Sequence, residues 1–350
     1  MEFIELAELC DKGSSNLAQK DLVFDSGIYP VYGAPGEITK VDFFHQSKPY
    51  LGLIKDGAGV GRVMQLPANS SVIGTIQYIF PKENVDLKYL YYLIKYLDLG
   101  KSNTGATIPH IYFKDYKKRK VKVREYGEQK HIGQILELID SHLSAYKNVL
   151  EQYDLLIKSR FVDLFGDIEL NEKKWKKIKF GELIKSANNG LARRGNDKAG
   201  NIVLRLIELQ ENLINYSDLN RILLTDDEKK RYRLLEGDLL FARVNGNPKN
   251  VGRCATFHEY VEQVYHNDHI IRTSCDKSRL DSVFAAYLFN SEYGKNRISR
   301  KIKTSAGQYT INQEGLKSIE IILPPIVIQY SFAEFIKQIN KLKFAKIVYN

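Results

Sequence analysis

The strongest constraint on the fold is a run of heptad-spaced apolar residues between Gln129 and Phe165. Two apolar rows recur every seven residues and interleave at steps of four and three, which is the a/d pattern of a coiled coil. The rows are Ile132, Ile139, Tyr146 and Tyr153, and Leu136, Leu143, Leu150 and Ile157. The run has no proline, and only Gly133 is a weak breaker. It predicts a helix of roughly 50 Å, either the core helix of one domain or a spacer between two.

Composition narrows the class of protein. The 350 residues, of which 43% are hydrophobic, allow two or three domains with real cores. A net charge of +10 favours a polyanionic partner, nucleic acid before an anionic membrane. We find no apolar run of membrane-spanning length and no signal-peptide pattern. Three distant cysteines indicate neither a disulfide framework nor a zinc knuckle. We therefore expect a reduced, cytoplasmic protein with no membrane partner.

Residues 1–125 have the pattern of a mixed α and β block. Phe3–Leu9 predicts a short strand or a turn of helix, and a run rich in glycine and proline follows it. Tyr50–Ile54 and Ser71–Phe80 have the β-branched and aromatic content of strands. Asp86–Leu97 predicts an amphipathic helix, and Arg119–Val123 predicts the last strand.

A second block begins at Trp175 and repeats the order of the first. The paired segments are Phe3–Leu9 with Trp175–Leu183, Val60–Arg62 with Val251–Arg253, Leu87–Leu97 with Leu280–Ser291, Thr104–Thr107 with Ser305–Thr310, and Gln129 with Gln329. Each glutamine is predicted to open a helix, and the second helix carries Phe332, Ile336 and Ile339 at the positions of the first seam. Five correspondences in one order indicate a duplicated unit of roughly 170 residues.

This order of parts resembles the specificity subunit of type I restriction-modification systems. The resemblance rests on Trp175 with Phe180–Leu183 at a block start, on Gly237–Arg243 within the second block, and on Ser159–Asp167 at the end of the spacer helix. The resemblance also rests on the turn before the last strand of each block, followed by Gln129 or Gln329 at the helix. No single motif is specific, but their order extends over almost the whole chain.

The resemblance implies an α+β protein in which two similar α/β target-recognition domains are separated by long antiparallel coiled-coil spacer helices, with pseudo-twofold symmetry. The implied parts are a first target-recognition domain at 1–125, a central spacer helix at 126–167, a second target-recognition domain at 168–325 and a short C-terminal spacer helix at 326–350. One departure concerns this last helix, because the chain continues for only 21 residues after Gln329 and Lys343 replaces the apolar residue that matches Leu143. Either the chain is truncated, or the second helix is short and leaves part of the first for a partner.

The resemblance also implies the partners. The two domains read a split sequence in double-stranded DNA, and the spacer helices dock two methyltransferase subunits, joined in restricting systems by two restriction subunits. The specificity subunit itself is implied to be non-catalytic and to bind no cofactor. S-adenosylmethionine, ATP and Mg²⁺ belong to the partner subunits, which methylate adenine N6 and carry out ATP-driven restriction.

The candidate DNA-binding residues lie in polar loops. Arginine pairs with guanine and asparagine with adenine in the major groove, while lysine holds phosphates. The predicted set is Arg193, Arg194, Arg243, Asn245, Asn247, Lys249 and Arg253 in the second block, Lys55, Arg62, Asn103, Thr104 and Thr107 in the first, and Tyr309 in the turn before the last strand. Every segment also fits an ordinary solvated turn, since Asn-Gly is a common hairpin signal. Arg62 and Arg253 fit a scaffold role equally well.

Signals of catalysis are poor. We find no Asn-Pro-Pro-Tyr-type methyltransferase motif, no dinucleotide fingerprint and no nucleophile elbow. Lys55–Gly61 has the spacing of a glycine-rich nucleotide loop but lacks its Lys-Ser/Thr ending, so a tight turn is favoured. His258, His266 and His269 fit no zinc pattern. Two alternatives remain open: an enzyme with an unrecognised nuclease or DNA methyltransferase site, and a coiled-coil interaction protein without a DNA role.

Overall fold

The computed structural model describes residues 3–102, 109–305 and 307–348. The chain forms two compact units, Met1–Asn148 and Val149–Asn350, called unit 1 and unit 2 below. The four-part division of the chain given above stays a prediction. Within the described ranges, no helix combines the length and the apolar character needed to cross a membrane.

Unit 1 combines a four-stranded antiparallel sheet, a three-stranded mixed sheet and a strand pair. Its strands are β1 Phe3–Glu5, β2 Cys10–Ser14, β3 Tyr29–Gly33, β4 Gly36–Val41, β5 Tyr50–Ile54, β6 Val63–Leu66, β7 Ser71–Val72, β8 Ile76–Pro81 and β9 Lys120–Lys122. The sheet orders are β2-β8-β5-β6, β4-β3-β7 and β1-β9. Its helices are α1 Leu87–Leu97, α2 Phe113–Tyr116 and the first part of α3 Tyr126–Phe165, with short 3-10 helices at Leu6–Glu8, Gln19–Asp21 and Leu99–Ser102.

Unit 2 contains the end of α3 and a larger set of strands. The strands are β10 Lys176–Lys179, β11 Ile184–Asn189, β12 Asn201–Leu204, β13 Leu209–Gln210, β14 Leu213–Ile214, β15 Arg221–Ile222, β16 Leu239–Ala242, β17 Val244–Asn245, β18 Cys254–Thr256, β19 Val264–His266, β20 Ile270–Cys275, β21 Lys303–Ser305, β22 Gln308–Thr310 and β23 Glu320–Leu323. The sheet orders are β11-β20-β16-β18, β15-β12-β19, β17-β22-β21, β13-β14 and β10-β23. The helices are α4 Asp226–Tyr232, α5 Ser282–Asn290, α6 Glu292–Ser299, α7 Gln313–Lys317 and α8 Ile326–Val348, with 3-10 helices at Phe180–Leu183 and Pro248–Asn250.

The two units share one topology. The four-stranded sheets β2-β8-β5-β6 and β11-β20-β16-β18 have the same chain order and are antiparallel throughout. Each mixed sheet has a central strand with one antiparallel and one parallel neighbour. In each unit an antiparallel pair joins the first strand to the last, as β1-β9 and β10-β23. The strand order thus confirms the predicted duplication.

Each core forms where a helix covers the four-stranded sheet. In unit 1, Leu90 and Ile94 on one face of α1 pack against Leu51, Leu53 and Ile79 of β5 and β8. All five side chains are fully buried, and complete burial of one such side chain contributes about 1.5–3 kcal/mol. In unit 2, α5 occupies the same place, with Phe284 and Phe289 in the core.

The buried side chain of Gln129 ties α3 to the start of α1 in unit 1. Its side-chain Oε1 accepts a hydrogen bond from the backbone N of Asp86 at 3.0 Å, and its Nε2 donates to the backbone oxygens of Asn84 and Arg124. Asp86 in turn caps α1, because its Oδ1 accepts from the backbone N of Tyr89. Gln129 therefore satisfies three backbone groups at a helix junction that excludes water.

Gln329 repeats this arrangement in unit 2. Its Oε1 accepts from the backbone N of Asp281 at 2.9 Å, and its Nε2 donates to the backbone oxygens of Arg279 and Pro324. Asp281 caps α5 through the backbone N of Phe284. The prediction that the two glutamines open their helices is wrong by three residues, since α3 begins at Tyr126 and α8 at Ile326.

The strand-like segment Ser71–Phe80 is divided between two strands. The segment forms β7 and β8, separated by a turn in which the backbone N of Ile76 donates to the oxygen of Ile73. The two strands belong to different sheets, since β7 pairs with β3 and β8 pairs with β5. The break therefore lets the chain pass from the mixed sheet to the antiparallel sheet.

Helix α3 approaches α1 closely at Gly133. A Cβ atom at this position would lie 2.9 Å from Asp86 Oδ1 and 3.0 Å from the Cβ of Lys88. Two ion pairs follow along the same helices, Lys88 with Glu137 and Lys95 with Asp140. Gly133 is therefore a packing residue and does not interrupt the helix.

Within unit 2, α8 runs antiparallel to the end of α3. The ring of Phe332 lies 5.3 Å from that of Phe161 and 5.7 Å from that of Phe165. Further along α8, Lys343 Nζ lies 2.8 Å from Asp154 Oδ1, so α3 is contacted in descending order. A coiled coil along the whole of α3 and pseudo-twofold symmetry remain predictions.

Candidate DNA interface

The first predicted basic residue, Arg193, is held by the protein itself. Its Nε and Nη2 donate to both carboxylate oxygens of Glu228 at 2.9 and 2.7 Å, and Nη2 also contacts the backbone oxygen of Leu223. Glu228 also caps α4, because it accepts from the backbone N of Thr225. The guanidinium, followed by the helix-cap contact, lowers the pKa of Glu228 to about 2. Arg193 thus ties the loop at residues 190–196 to α4.

Arg194 and Arg243 meet at one point of the chain, Asp268. Arg194 Nη1 donates to Asp268 Oδ1 at 2.8 Å, and its Nη2 lies 3.1 Å from His269 Nε2. Arg243 Nη1 donates to the backbone oxygen of Asp268 at 2.9 Å. The structure therefore brings together two predicted DNA-binding arginines from distant loops, and both support the turn between β19 and β20.

The Val-Gly-Arg motif is part of the scaffold in both units. Gly61 and Gly252 have φ of 86° and 79°, a region that favours glycine. Gly61 N donates to the oxygen of Ile54 at the end of β5, and Gly252 N donates to the oxygen of Ala242 at the end of β16. The motif therefore closes the same turn twice, which supports the scaffold alternative for it.

The arginines of this motif contact the protein. Arg253 is half-buried, and Nη1 and Nη2 contact Gln210 Oε1 and the backbone oxygen of Leu206 at 3.5 and 3.3 Å. Burial lowers the pKa of its guanidinium. Arg62 donates to the backbone oxygen of Ala34.

The asparagines after β16 shape their own loop. Asn245 Oδ1 accepts from the backbone N of Asn247 at 2.9 Å, and Asn247 Oδ1 accepts from the backbone N of Lys249 at 3.0 Å. Such turns fix an exposed loop without regular structure. The Lys249 side chain is exposed and makes no ion pair with any described residue.

The remaining predicted residues are dispersed. Lys55 Nζ lies 3.8 Å from Asp56 Oδ2. Tyr309 is half-buried and packs against the main core of unit 2. Asn103, Thr104 and Thr107 lie outside the described residues.

The predicted seam residues differ in burial along the helices. Ile157 on α3 and Phe332, Ile336 and Ile339 on α8 are buried, while Ile132, Leu136, Tyr146, Leu150 and Tyr153 are half-buried and Ile139 and Leu143 are exposed. Ile139 is 48% exposed, whereas Ile339, at the matching position of α8, is 4% exposed. The seam is thus covered at its unit 2 end and open in unit 1.

Sequence reasoning missed most of the ribbon formed by β17, β22 and β21. Gln308 and Lys303 lie on its exposed part, and the cations Arg300 and Lys301 precede it. Periodicity does not detect three-residue strands, so only Asn245 and Tyr309 had been singled out. The clue in the sequence is the density of cations between Arg297 and Lys303.

The histidines do not form a metal site. His258 pairs with Glu236, while His266 is fully buried with Nδ1 3.1 Å from the backbone oxygen of Tyr232. Burial lowers the pKa of His266 to about 4, so its ring is neutral at pH 7. No cluster of three or more potential metal-ligating side chains occurs in the part of the chain that the structure describes.

Comparison with protein families gives a match that occurs twice along the chain. The model of the type I restriction modification DNA specificity domain matches residues 1–152 and 172–347. The chain is 24% identical over 258 residues to the type I restriction enzyme EcoKI specificity subunit of Escherichia coli (strain K12), covering 70% of this chain and 55% of that protein. It is 27% identical over 257 residues to the StySPI specificity subunit of Salmonella potsdam, again covering 70% and 55%. The chain therefore spans about half the length of these curated relatives.

A solved structure shares the fold over nearly the full chain. The crystal structure of the type I restriction-modification system S subunit from M. genitalium superposes with a TM-score of 0.66. The match covers 99% of this chain and 93% of the other, at 15% sequence identity. Such a likeness supports the two-domain architecture.

Proposed function

The chain belongs to the type I restriction modification DNA specificity family, and from this premise we propose that it is the DNA-recognition subunit of a type I system. The observation that carries the proposal is the duplication: two units with one strand order are each matched by the specificity-domain model. A duplicated scaffold with different loops suits a target made of two unlike half-sequences. Each unit reads one of them in double-stranded DNA.

Binding to DNA combines two kinds of contact. The net charge of +10 supplies phosphate contacts, which carry affinity but no sequence information. Loop side chains that reach base edges supply the specificity, at about 1–3 kcal/mol for each well-placed pair. Binding of the purified protein to duplex DNA should therefore weaken steeply as salt rises, with a residual preference for the target sequence.

The partners are two methyltransferase subunits and, where restriction also occurs, two restriction subunits. Support for a partner surface comes from α3, where Ile135, Leu138, Ile139 and Leu143 are exposed apolar side chains in unit 1. S-adenosylmethionine, ATP and Mg²⁺ act in those partners in the cytoplasm, and this chain selects the site. Purified alone with Mg²⁺ or methyl donor, it should neither cleave nor methylate DNA.

Mapping of methylated adenines tests the proposal directly. Genomes of cells with and without this gene are compared, and loss of methylation at one split motif is the expected result. Restoring the gene on a plasmid should return the same motif. Unchanged methylation in the deletion strain, with the methyltransferase gene intact and expressed, would contradict the proposal.

A further inference from the structure

We propose that the base-reading element of unit 2 is the ribbon of β17, β22 and β21, with Gln308 as its specificity residue and Lys303 as a phosphate contact. The inference rests on the proposed function and assigns the reading to two residues of the ribbon, Gln308 and Lys303, that the predicted DNA-binding set does not include. Arg193 and Arg194, which belong to the predicted DNA-binding set, are positioning residues that hold loops of the protein.

The strand register separates the two faces of the ribbon. Lys303 pairs with Thr310, and Thr304 pairs with Tyr309. Directly paired residues share a face and neighbours alternate, so Lys303, Gln308 and Thr310 lie on one face. Tyr309 lies on the other, and it packs against the core of unit 2. The face with Gln308 therefore points away from the core.

Gln308 has the chemistry of a base reader. Its side chain is exposed, and within the described ranges its amide makes no hydrogen bond. A glutamine amide can bind adenine bidentately through N6 and N7, and the major groove admits a two-stranded ribbon. The left-handed Gly307 beside it, at φ 76°, places no side chain between this amide and an approaching duplex.

The positive charge around the ribbon is not neutralised by the protein. Four cations lie beside it: Lys249, Arg300, Lys301 and Lys303. Among described residues none of the four has a carboxylate within ion-pair distance. The turn that carries Lys249 packs against α6, which ends at Ser299 just before the other three. These cations therefore form one unpaired group that is free to bind phosphates.

A second basic surface of unit 2 has cations that the protein itself neutralises. Arg193, Arg194 and Arg205 are each paired with a carboxylate, at 2.7 Å to Glu228, 2.8 Å to Asp268 and 2.5 Å to Glu208. A phosphate that approached them would compete with these bound carboxylates. The difference between paired and unpaired cations places the DNA at the ribbon.

The decisive variant is Gln308→Ala, produced with its native partner subunits in cells. Methylated adenines are mapped, and discrimination at one base pair in one half of the motif should fall by about 10- to 100-fold. The other half should be unchanged. Gln308→Glu serves as a second variant, because an exposed carboxylate preserves the fold but cannot donate to a base acceptor.

Lys303→Ala tests the phosphate contact in the purified complex. The slope of the logarithm of the binding constant against the logarithm of salt should become shallower by about 0.9, equally for target and non-target duplexes. Lys295→Ala is the matched control, since this α6 lysine is already paired with Glu211 at 2.5 Å. It should leave the slope unchanged, and thermal melts should show that all variants are folded.

Different results would contradict the ribbon as the reading element and the proposed function of DNA recognition. An unaltered motif with both Gln308→Ala and Gln308→Glu would overturn the ribbon while DNA recognition stands. An altered motif with Arg193→Ala would then assign the reading to the loop at residues 190–196. An unchanged slope with Lys303→Ala would likewise reject its phosphate contact. If deletion of the gene removes no methylated motif, the proposed function itself fails.

Discussion

Units 1 and 2 have the same scaffold, but the loops that it presents differ. Between the end of the central strand and the left-handed glycine, unit 1 has six residues, 55–60, and unit 2 has nine, 243–251. The shorter loop has Gly57 and Gly59, while the longer one has asparagines, a proline and Lys249. Both loops nevertheless end in the same backbone hydrogen bond. The difference teaches that the closing hydrogen bond of the turn is made by the backbone, so the length and the side chains of the loop can differ between the units.

The helix that closes each unit shows a second difference. In unit 2 the seam of α8 is buried, whereas the matching positions of α3 in unit 1 are half-buried or exposed. The same sequence period thus stabilises the fold in one place and leaves an apolar surface in the other. Burial, and not the apolar pattern, decides which of the two roles a seam residue has.

The largest expected contrast comes from truncating matched isoleucines. Ile339→Ala should lower the free energy of unfolding of unit 2 by about 2–4 kcal/mol, because the side chain is buried and leaves a cavity. Ile139→Ala should cost under about 1 kcal/mol in unit 1, since half of this side chain already meets solvent. Urea unfolding of both variants measures the difference. Equal losses would contradict the contrast between the seams.

Removing the buried glutamines should instead give equal effects. Gln129→Ala and Gln329→Ala each leave three backbone groups without a partner, at an expected cost of about 2–3 kcal/mol. The same unfolding assay applies, with Gln134→Ala on the exposed side of α3 as the control. If only one of the two variants is destabilised, the junctions are not equivalent despite their shared geometry.

The stability of unit 2 should fall in acid because of His266, which has no titratable counterpart in unit 1. His266 lies four residues before Ile270, and the matching residue before Ile76 is Val72. The pKa of His266 is about 4, below the 6.5 of an unperturbed histidine, so the unfolded state takes up the proton first as pH falls. The stability of the folded state is therefore highest above pH 6.5 and falls by roughly 3 kcal/mol between pH 6.5 and 4.

The substitution His266→Val tests this assignment. It puts into unit 2 the residue type of unit 1 and should flatten the stability of unit 2 over that pH interval. Retention of the full pH dependence would assign it to other groups.

The smallest effect concerns the ion pair of Arg193 with Glu228, which has no described equivalent in unit 1. Glu228→Gln should cause a small loss of stability at pH 7, because both side chains reach solvent. The folded pKa of about 2 lies below the ordinary value of 4.5, so the contribution is present above pH 4.5 and disappears as pH falls to 2. Thermal melts at pH 7 and pH 2.5 compare the variant with the parent. A loss that is the same at both values would contradict this origin.

The repeat was predictable because it depends on short motifs whose roles are local. The helix predicted at Asp86–Leu97 became α1 Leu87–Leu97, since Asp86 supplies the cap and Leu90 and Ile94 the buried face. Gly166, with φ of 73°, ends α3 as glycine after a helix commonly does. Such signals lie within a few residues of the structure that they specify.

The partners of the arginines could not be predicted in the same way. Glu228 lies 35 residues after Arg193, and Asp268 lies 74 residues after Arg194. Nothing in the local sequence separates an arginine paired within the protein from one that is free for DNA. The three-residue strands of the ribbon were missed for a related reason, because they are held by cross-strand pairing and not by a periodic pattern.

Gly133 has a consequence for how this protein can change under mutation. The first unit leaves no room for even a methyl group where α3 crosses Asp86, while the second has Ala333 at the matching site. In a saturation library, position 133 should therefore be depleted of every replacement, although it lies on a long helix whose neighbouring positions accept many. The intolerance of position 133 would come from the close approach of α1 and not from the sequence pattern of α3.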